Sequence, residues 1–75
     1  MTKGEYRVGI GFNPGGHSQV DGIKHITAGL IDEMQPLVDL GGEAGRCAAV
    51  AQTKYEEAAM WAVKAVTKPK EDYDG

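Results

Sequence analysis

The stretch from Glu43 to Thr67 constrains the chain most. Placed on a helix at about 100° per residue, Val50, Trp61, Cys47, Ala65, Ala58, Ala51, Ala62, Tyr55, Val66, Ala48, Ala59 and Val63 spread over an arc of roughly 220°. A helix packed on one neighbour shows an apolar stripe only somewhat wider than about 100°. This segment therefore needs several neighbours, and the rest of the chain supplies one further helix. Copies of the chain would supply the others. Ala44, Ala48, Ala49, Ala51, Ala58, Ala59, Ala62 and Ala65 let helices approach closely. Alanine chosen for helix propensity alone is the ordinary alternative. Trp61, Tyr55, Val63 and Val66 share the same arc, which favours self-association.

Other routes to stability are narrow. A chain of 75 residues buries little surface against its entropy, and small folds compensate with disulfides, metals or oligomerisation. The single cysteine, Cys47, excludes an intrachain disulfide and a cysteine zinc cluster, and it reads as core. His17 and His25 are too few for a histidine-based structural site. Eight Lys/Arg against eleven Asp/Glu give a net charge of −3 without a basic run, which argues against polymeric nucleic acid. No apolar run approaches the roughly 20 residues of a spanning helix, so no membrane association is expected. The start, Met-Thr-Lys-Gly-Glu-Tyr-Arg, lacks the apolar centre of a signal peptide. With a lone thiol, it suggests a cytosolic setting.

The expected organisation is one all-α domain over residues 1–75, an antiparallel αα-hairpin with a short extended arm. Residues 18–40 read as the first helix, with Ser18 as N-cap and Asp21 suited to the dipole. Val20, Ile23, Thr27, Leu30, Ile31, Met34 and Val38 fill an arc of roughly 140°. Pro36 should bend or end this helix. Gly22 and Gly29 lie away from the apolar arc. Gly41 and Gly42 form a stop and turn, and the second helix spans 43–67 before Lys68-Pro69 halts it. A polar tail occupies 68–75. In the glycine-rich segment 1–17, Tyr6, Val8, Ile10 and Phe12 alternate, which reads as a strand or extended arm. Asn13-Pro14-Gly15-Gly16 reads as a turn.

Chemistry-bearing motifs are few. Gly9-Ile-Gly11-Phe-Asn-Pro14 is not a dinucleotide fingerprint, and Gly11 to His17 lacks the P-loop lysine. A glycine-rich turn before a helix can still offer N–H groups to an anion. Phe12 could stack on a base or enter the core. Lys24 borders the first apolar arc, where it could snorkel or meet a phosphate. Arg46, Thr53, Glu57 and Lys64 fall within roughly 20° of one line. Around a symmetry axis, Arg46 and Thr53 could face an anion. The alternative is a solvated face with an Arg46–Glu43 or Glu57–Lys64 pair. Asp21 and His25 are spaced to share a metal, though a surface pair is the commoner use of that spacing. Asp32-Glu33 and Glu56-Glu57 point about 100° apart, so neither is an acid/base pair, and no nucleophile–base set is visible.

Two stretches carry a resemblance. One is Arg7-Val-Gly-Ile-Gly-Phe-Asn-Pro14 with Val20-Asp-Gly-Ile-Lys24 and Ala28-Gly-Leu-Ile-Asp32. The other is Arg46-Cys-Ala-Ala-Val-Ala-Gln-Thr53 with Glu57-Ala-Ala-Met-Trp-Ala-Val-Lys-Ala-Val66 and Thr67-Lys-Pro69. Both resemble the helical hairpin shared by phage anti-CBASS and anti-Thoeris proteins, over most of residues 7–69. The resemblance implies a homohexamer without catalysis or cofactor that sequesters cyclic di- or trinucleotides in the host cytoplasm. It implies that Phe12 stacks on a base and Lys24 meets phosphate, with Arg46 and Thr53 in a second, trinucleotide site. Asn13 and Thr27 complete the expected ligand contacts. Larger anti-Thoeris members carry a β domain that 75 residues are too few to contain, so cyclic ADP-ribose isomers stand behind the oligonucleotides. The competing readings are a protein-interaction or regulatory module and, further off, a small oligomeric enzyme.

Overall fold

In the computed structural model, which describes residues 1–69, three helices follow in order: α1 (Lys3–Val8), α2 (Ser18–Leu40) and α3 (Gly42–Thr67). The expected two-helix hairpin is α2 and α3. The only residue between them is Gly41, at φ 76°, and Gly42 follows at φ 66°. Positive φ at two successive positions suits glycine, which has no Cβ to clash there. The partners run in opposite senses along the two helices. A Cβ on Gly45 would lie 3.1 Å from the Leu37 carbonyl oxygen, and Gln52 bonds the Ile31 carbonyl at 3.0 Å. Val63 shares a cavity wall with Val20. The hairpin is therefore antiparallel.

At its start α2 differs from expectation. His17, not Ser18, occupies the N-cap, and no side chain of its own caps the helix. Asn13 braces that end from the preceding turn. Its amide donates to the His17 carbonyl at 2.8 Å and its oxygen accepts the His17 N–H at 3.1 Å. Pro36 does not end the helix, which runs on to Leu40. Met34, Gln35 and Val38 are all half-buried around it. That packing outweighs the one backbone bond a proline removes.

The N-terminal arm is the main correction. Residues 3–8 are helical, not extended. The alternation of Tyr6, Val8, Ile10 and Phe12 is incidental. A capping box starts the helix: Thr2 Oγ1 accepts from the Glu5 N–H at 3.0 Å, and Glu5 accepts from the Thr2 N–H at 2.7 Å. Gly9 ends it at φ 66°. Gly4 brings α1 onto α2, and its N–H donates to Asp32 at 2.7 Å. A Cβ there would sit 2.1 Å from the Ala28 carbonyl oxygen.

The fold is long and flat, with extents of 53 × 29 × 12 Å. Its radius of gyration is 14.8 Å, against about 11 Å for a compact domain of this length. The buried apolar residues are Val20, Ala28, Ile31, Ala48 and Ala59. Trp61, Phe12, Ile26 and Leu40 are exposed. On α3 the covered stripe is Gly45, Ala48, Gln52 and Ala59. Cys47, expected in the core, is exposed, because it lies roughly 120° around the helix from that stripe. The far side of the arc, with Val50, Ala58, Trp61 and Ala65, is likewise exposed. Gly22 and Gly29 face open space. Among the described residues no helix is long and apolar enough to cross a membrane. The tail expected at 68–75 lies mostly outside the described residues.

Candidate functional site

The connection from α1 to α2 walls one of the cavities of the molecule. Gly9 closes α1, and its carbonyl accepts the Phe12 N–H at 2.9 Å. Gly16 then donates to the Asn13 carbonyl at 3.0 Å, forming a second turn that delivers the chain to α2. Lys24, one and a half turns into α2, reaches back beneath this connection. Its ammonium donates to the Gly9 carbonyl at 2.8 Å and to the Phe12 carbonyl. Lys24 is 6% exposed. It is not the border residue its position on the helix suggested, because the arm folds over it.

This arrangement fixes the backbone of Phe12 and leaves the residue 71% exposed. The Lys24 ammonium lies 5.6 Å from the ring centroid. Phe12, Asn13, His17, Val20 and Lys24 line a cavity of about 210 Å³, closed on its far side by Val63 and Thr67 of α3. Three of the six expected ligand contacts thus meet at one place. Small-molecule sites usually occupy about 300–1,000 Å³, so this cavity is smaller than a typical one.

The other three expected residues do not join them. Thr27 is half-buried, and its hydroxyl donates to the Ile23 carbonyl of its own helix at 2.8 Å. Arg46 is exposed and pairs with Glu43, Nε to Oε2 at 3.0 Å. Thr53 is exposed and bonds back to Ala49. With Glu57, Met60, Trp61 and Lys64 it lines a hollow of about 500 Å³. That hollow is larger, but α3 alone walls it, and one helix cannot enclose a ligand. Glu57 pairs with Lys54 at 3.6 Å, while the Lys64 ammonium lies 4.9 Å from the Trp61 ring centroid.

The Arg46–Glu43 pair has a pH consequence. Arg46 holds the Glu43 carboxyl below its usual 4.5, with burial opposing and the Cys47 thiol adding slightly. A depressed folded pKa means the pair contributes at neutral pH and is lost as pH falls through the carboxylate range. In Arg46→Ala, the Glu43 midpoint followed by NMR should move up towards 4.5. An unchanged midpoint would remove Arg46 as the cause.

A polar network that sequence reasoning did not reach lies beside the cavity. Arg7 Nε donates to Glu56 at 2.6 Å and Nη1 donates to Gln52 at 3.2 Å. Gln52, 2% exposed, donates to the Ile31 carbonyl and to Gln35, both at 3.0 Å. One signal was present: Gln52 is the lone amide on the covered face of its helix, and a buried amide requires partners. Nothing in the spacing of Arg7 and Glu56, 49 residues apart, foretells their contact.

The profile of the family described as Acb2/Tad1, hairpin domain, matches residues 5–67. That interval takes in the cavity, the Lys24 contacts and the polar network. No curated protein and no solved structure matches the chain.

Proposed function

The chain belongs to the Acb2/Tad1 hairpin-domain family, the phage anti-CBASS and anti-Thoeris sponges, and on that premise we propose that it binds and sequesters cyclic di- and trinucleotide immune signals without degrading them. The observation that carries this reading is the cavity where Phe12, Asn13 and Lys24 meet. An exposed aromatic ring on a fixed backbone suits stacking on a base. The third proton of the Lys24 ammonium suits a phosphate, to which charge-assisted bonds are strong.

The rest of the reading follows from the flat shape. Further copies of the chain, six by family resemblance, would cover the exposed side of α3 and complete the cavity to the size of a nucleotide. Arg46 and Thr53 would meet a trinucleotide at a second site, with Thr27 at the first. The assembly would act in the cytoplasm of the infected host, with cyclic ADP-ribose isomers as secondary ligands. A second reading, a protein-interaction module, draws on the exposed Trp61, Ile26 and Leu40.

Calorimetry of the native assembly against cyclic di- and trinucleotides tests the proposal. Micromolar or tighter binding is expected, with ligand recovered intact after heating. No binding, or altered ligand, overturns it. Phe12→Ala should weaken cyclic dinucleotides about tenfold, a stacked base being worth about 1–3 kcal/mol. Arg46→Ala should weaken only trinucleotides. Identical responses of both ligand classes would refute the two-site division.

A further inference from the structure

A second cavity adjoins the first. It measures about 240 Å³ and is lined by Arg7, Val8, Lys24, Glu56, Met60 and Val63, with Ala59 at its base. Lys24 and Val63 line both cavities. The two therefore meet at the lysine, and neither alone reaches the usual volume of a small-molecule site.

The polar groups of the second cavity are specialised. Glu56 Oε1 accepts from Arg7 Nε at 2.6 Å. Oε2 makes no hydrogen bond among the described residues, and the Glu56 side chain is 37% exposed. Arg7 is anchored by Gln52 as well, and Gln52 is anchored by Ile31 and Gln35. The carboxylate is thus held by a part-buried chain of bonds that ends on the buried Gln52, and it presents acceptors only. Arg7 balances its charge, so the cavity does not repel an anionic ligand.

We infer that Glu56 reads the base of the bound nucleotide and selects guanine; the inference rests on the nucleotide-binding proposal above. The Watson–Crick edge of guanine carries two adjacent donors, N1–H and N2–H, which a carboxylate accepts side by side. Adenine offers one donor beside the N1 lone pair, which a carboxylate repels. Uracil offers one donor between two carbonyl oxygens, and cytosine one donor beside a lone pair, so neither fills both carboxylate oxygens. A base seated here leaves the phosphate beside Lys24, the residue both cavities share. Arg7 acts through Glu56 and is a positioning residue.

The test is calorimetry of the native assembly with cyclic di-GMP and cyclic di-AMP. The wild type should bind cyclic di-GMP more tightly. In Glu56→Gln, which keeps the shape and one acceptor, the guanine-over-adenine ratio should fall about tenfold, as for loss of a hydrogen bond to a charged group. Arg7→Lys keeps a cation but loses the fork, so the ratio should fall in the same direction by a smaller factor. This second variant carries the test if the first does not fold. Wild-type binding with an unchanged ratio in the variants overturns the inference and leaves the sponge proposal standing. Wild-type preference for cyclic di-AMP overturns the inference alone. A wild type that binds no cyclic nucleotide overturns both.

Discussion

Gly4→Ala should detach α1 from the hairpin and cost about 3 kcal/mol, the upper end for overpacking. The added methyl would lie 2.1 Å from the Ala28 carbonyl oxygen and 2.9 Å from the Ala28 Cα. Both are backbone atoms inside α2, so no side chain can swing aside. Separation of the helices would also break the Gly4 N–H bond to Asp32. Helix propensity works in the other direction, because alanine is favoured over glycine in a helix by about 1 kcal/mol. The sign of the result is therefore decisive. Urea denaturation measures it, with Gly11→Ala as the control, since nothing lies within 4 Å of a Cβ there. A stabilised Gly4→Ala would show that α1 does not pack on Ala28. Because α1 leads directly into Gly9 and Phe12, ligand affinity should fall with stability.

Lys24→Met is expected to weaken cyclic dinucleotide binding by at least tenfold. The substitution keeps the apolar stem and removes the ammonium. The carbonyls of Gly9 and Phe12 lose their shared donor. Hydrogen bonds to a charged group contribute about 1.5–3 kcal/mol each, so the connection should loosen. Hydrogen exchange separates this effect from general unfolding. Amides at 9–13 should exchange faster, while those of α2 and α3 near Ile31 and Gln52 keep their protection. Loss of affinity with unchanged exchange at 9–13 would mean that Lys24 serves the ligand only and does not hold the arm.

The two long helices were legible because their signals are local. Helical spacing from Val20 to Val38, the break at Gly41 and Gly42, and the halt before Pro69 all act within a few residues. The excess of apolar surface on 43–67 was equally legible, since it is a property of one helix. The short α1 is less legible, although Thr2 and Glu5 have the spacing of a capping box. The glycines and the chance alternation of Tyr6, Val8, Ile10 and Phe12 outweighed it. Lys24 illustrates a different limit. Its place on the helix follows from spacing, but its burial comes from a segment that folds over it. Arg7 and Glu56 show the same limit more strongly, because their roles exist only once three helices have met. Cys47 lies in the apolar arc, but that arc has two sides, only one of which α2 covers.

Phe12 carries one consequence in entropic terms. Its N–H and its carbonyl are both committed, to Gly9 and to Lys24, before any ligand arrives. Folding has already surrendered the φ and ψ freedom of that residue. A ligand that stacks on the ring has only two side-chain torsions left to freeze, against the 1–2 kcal/mol that ordering each backbone residue of a loose loop would cost. An aromatic contact at the end of a flexible tether would waste much of its stacking energy in that way. Here the root is rigid and the tip is free, so in the proposed complex less of the stacking energy would be spent on ordering the chain.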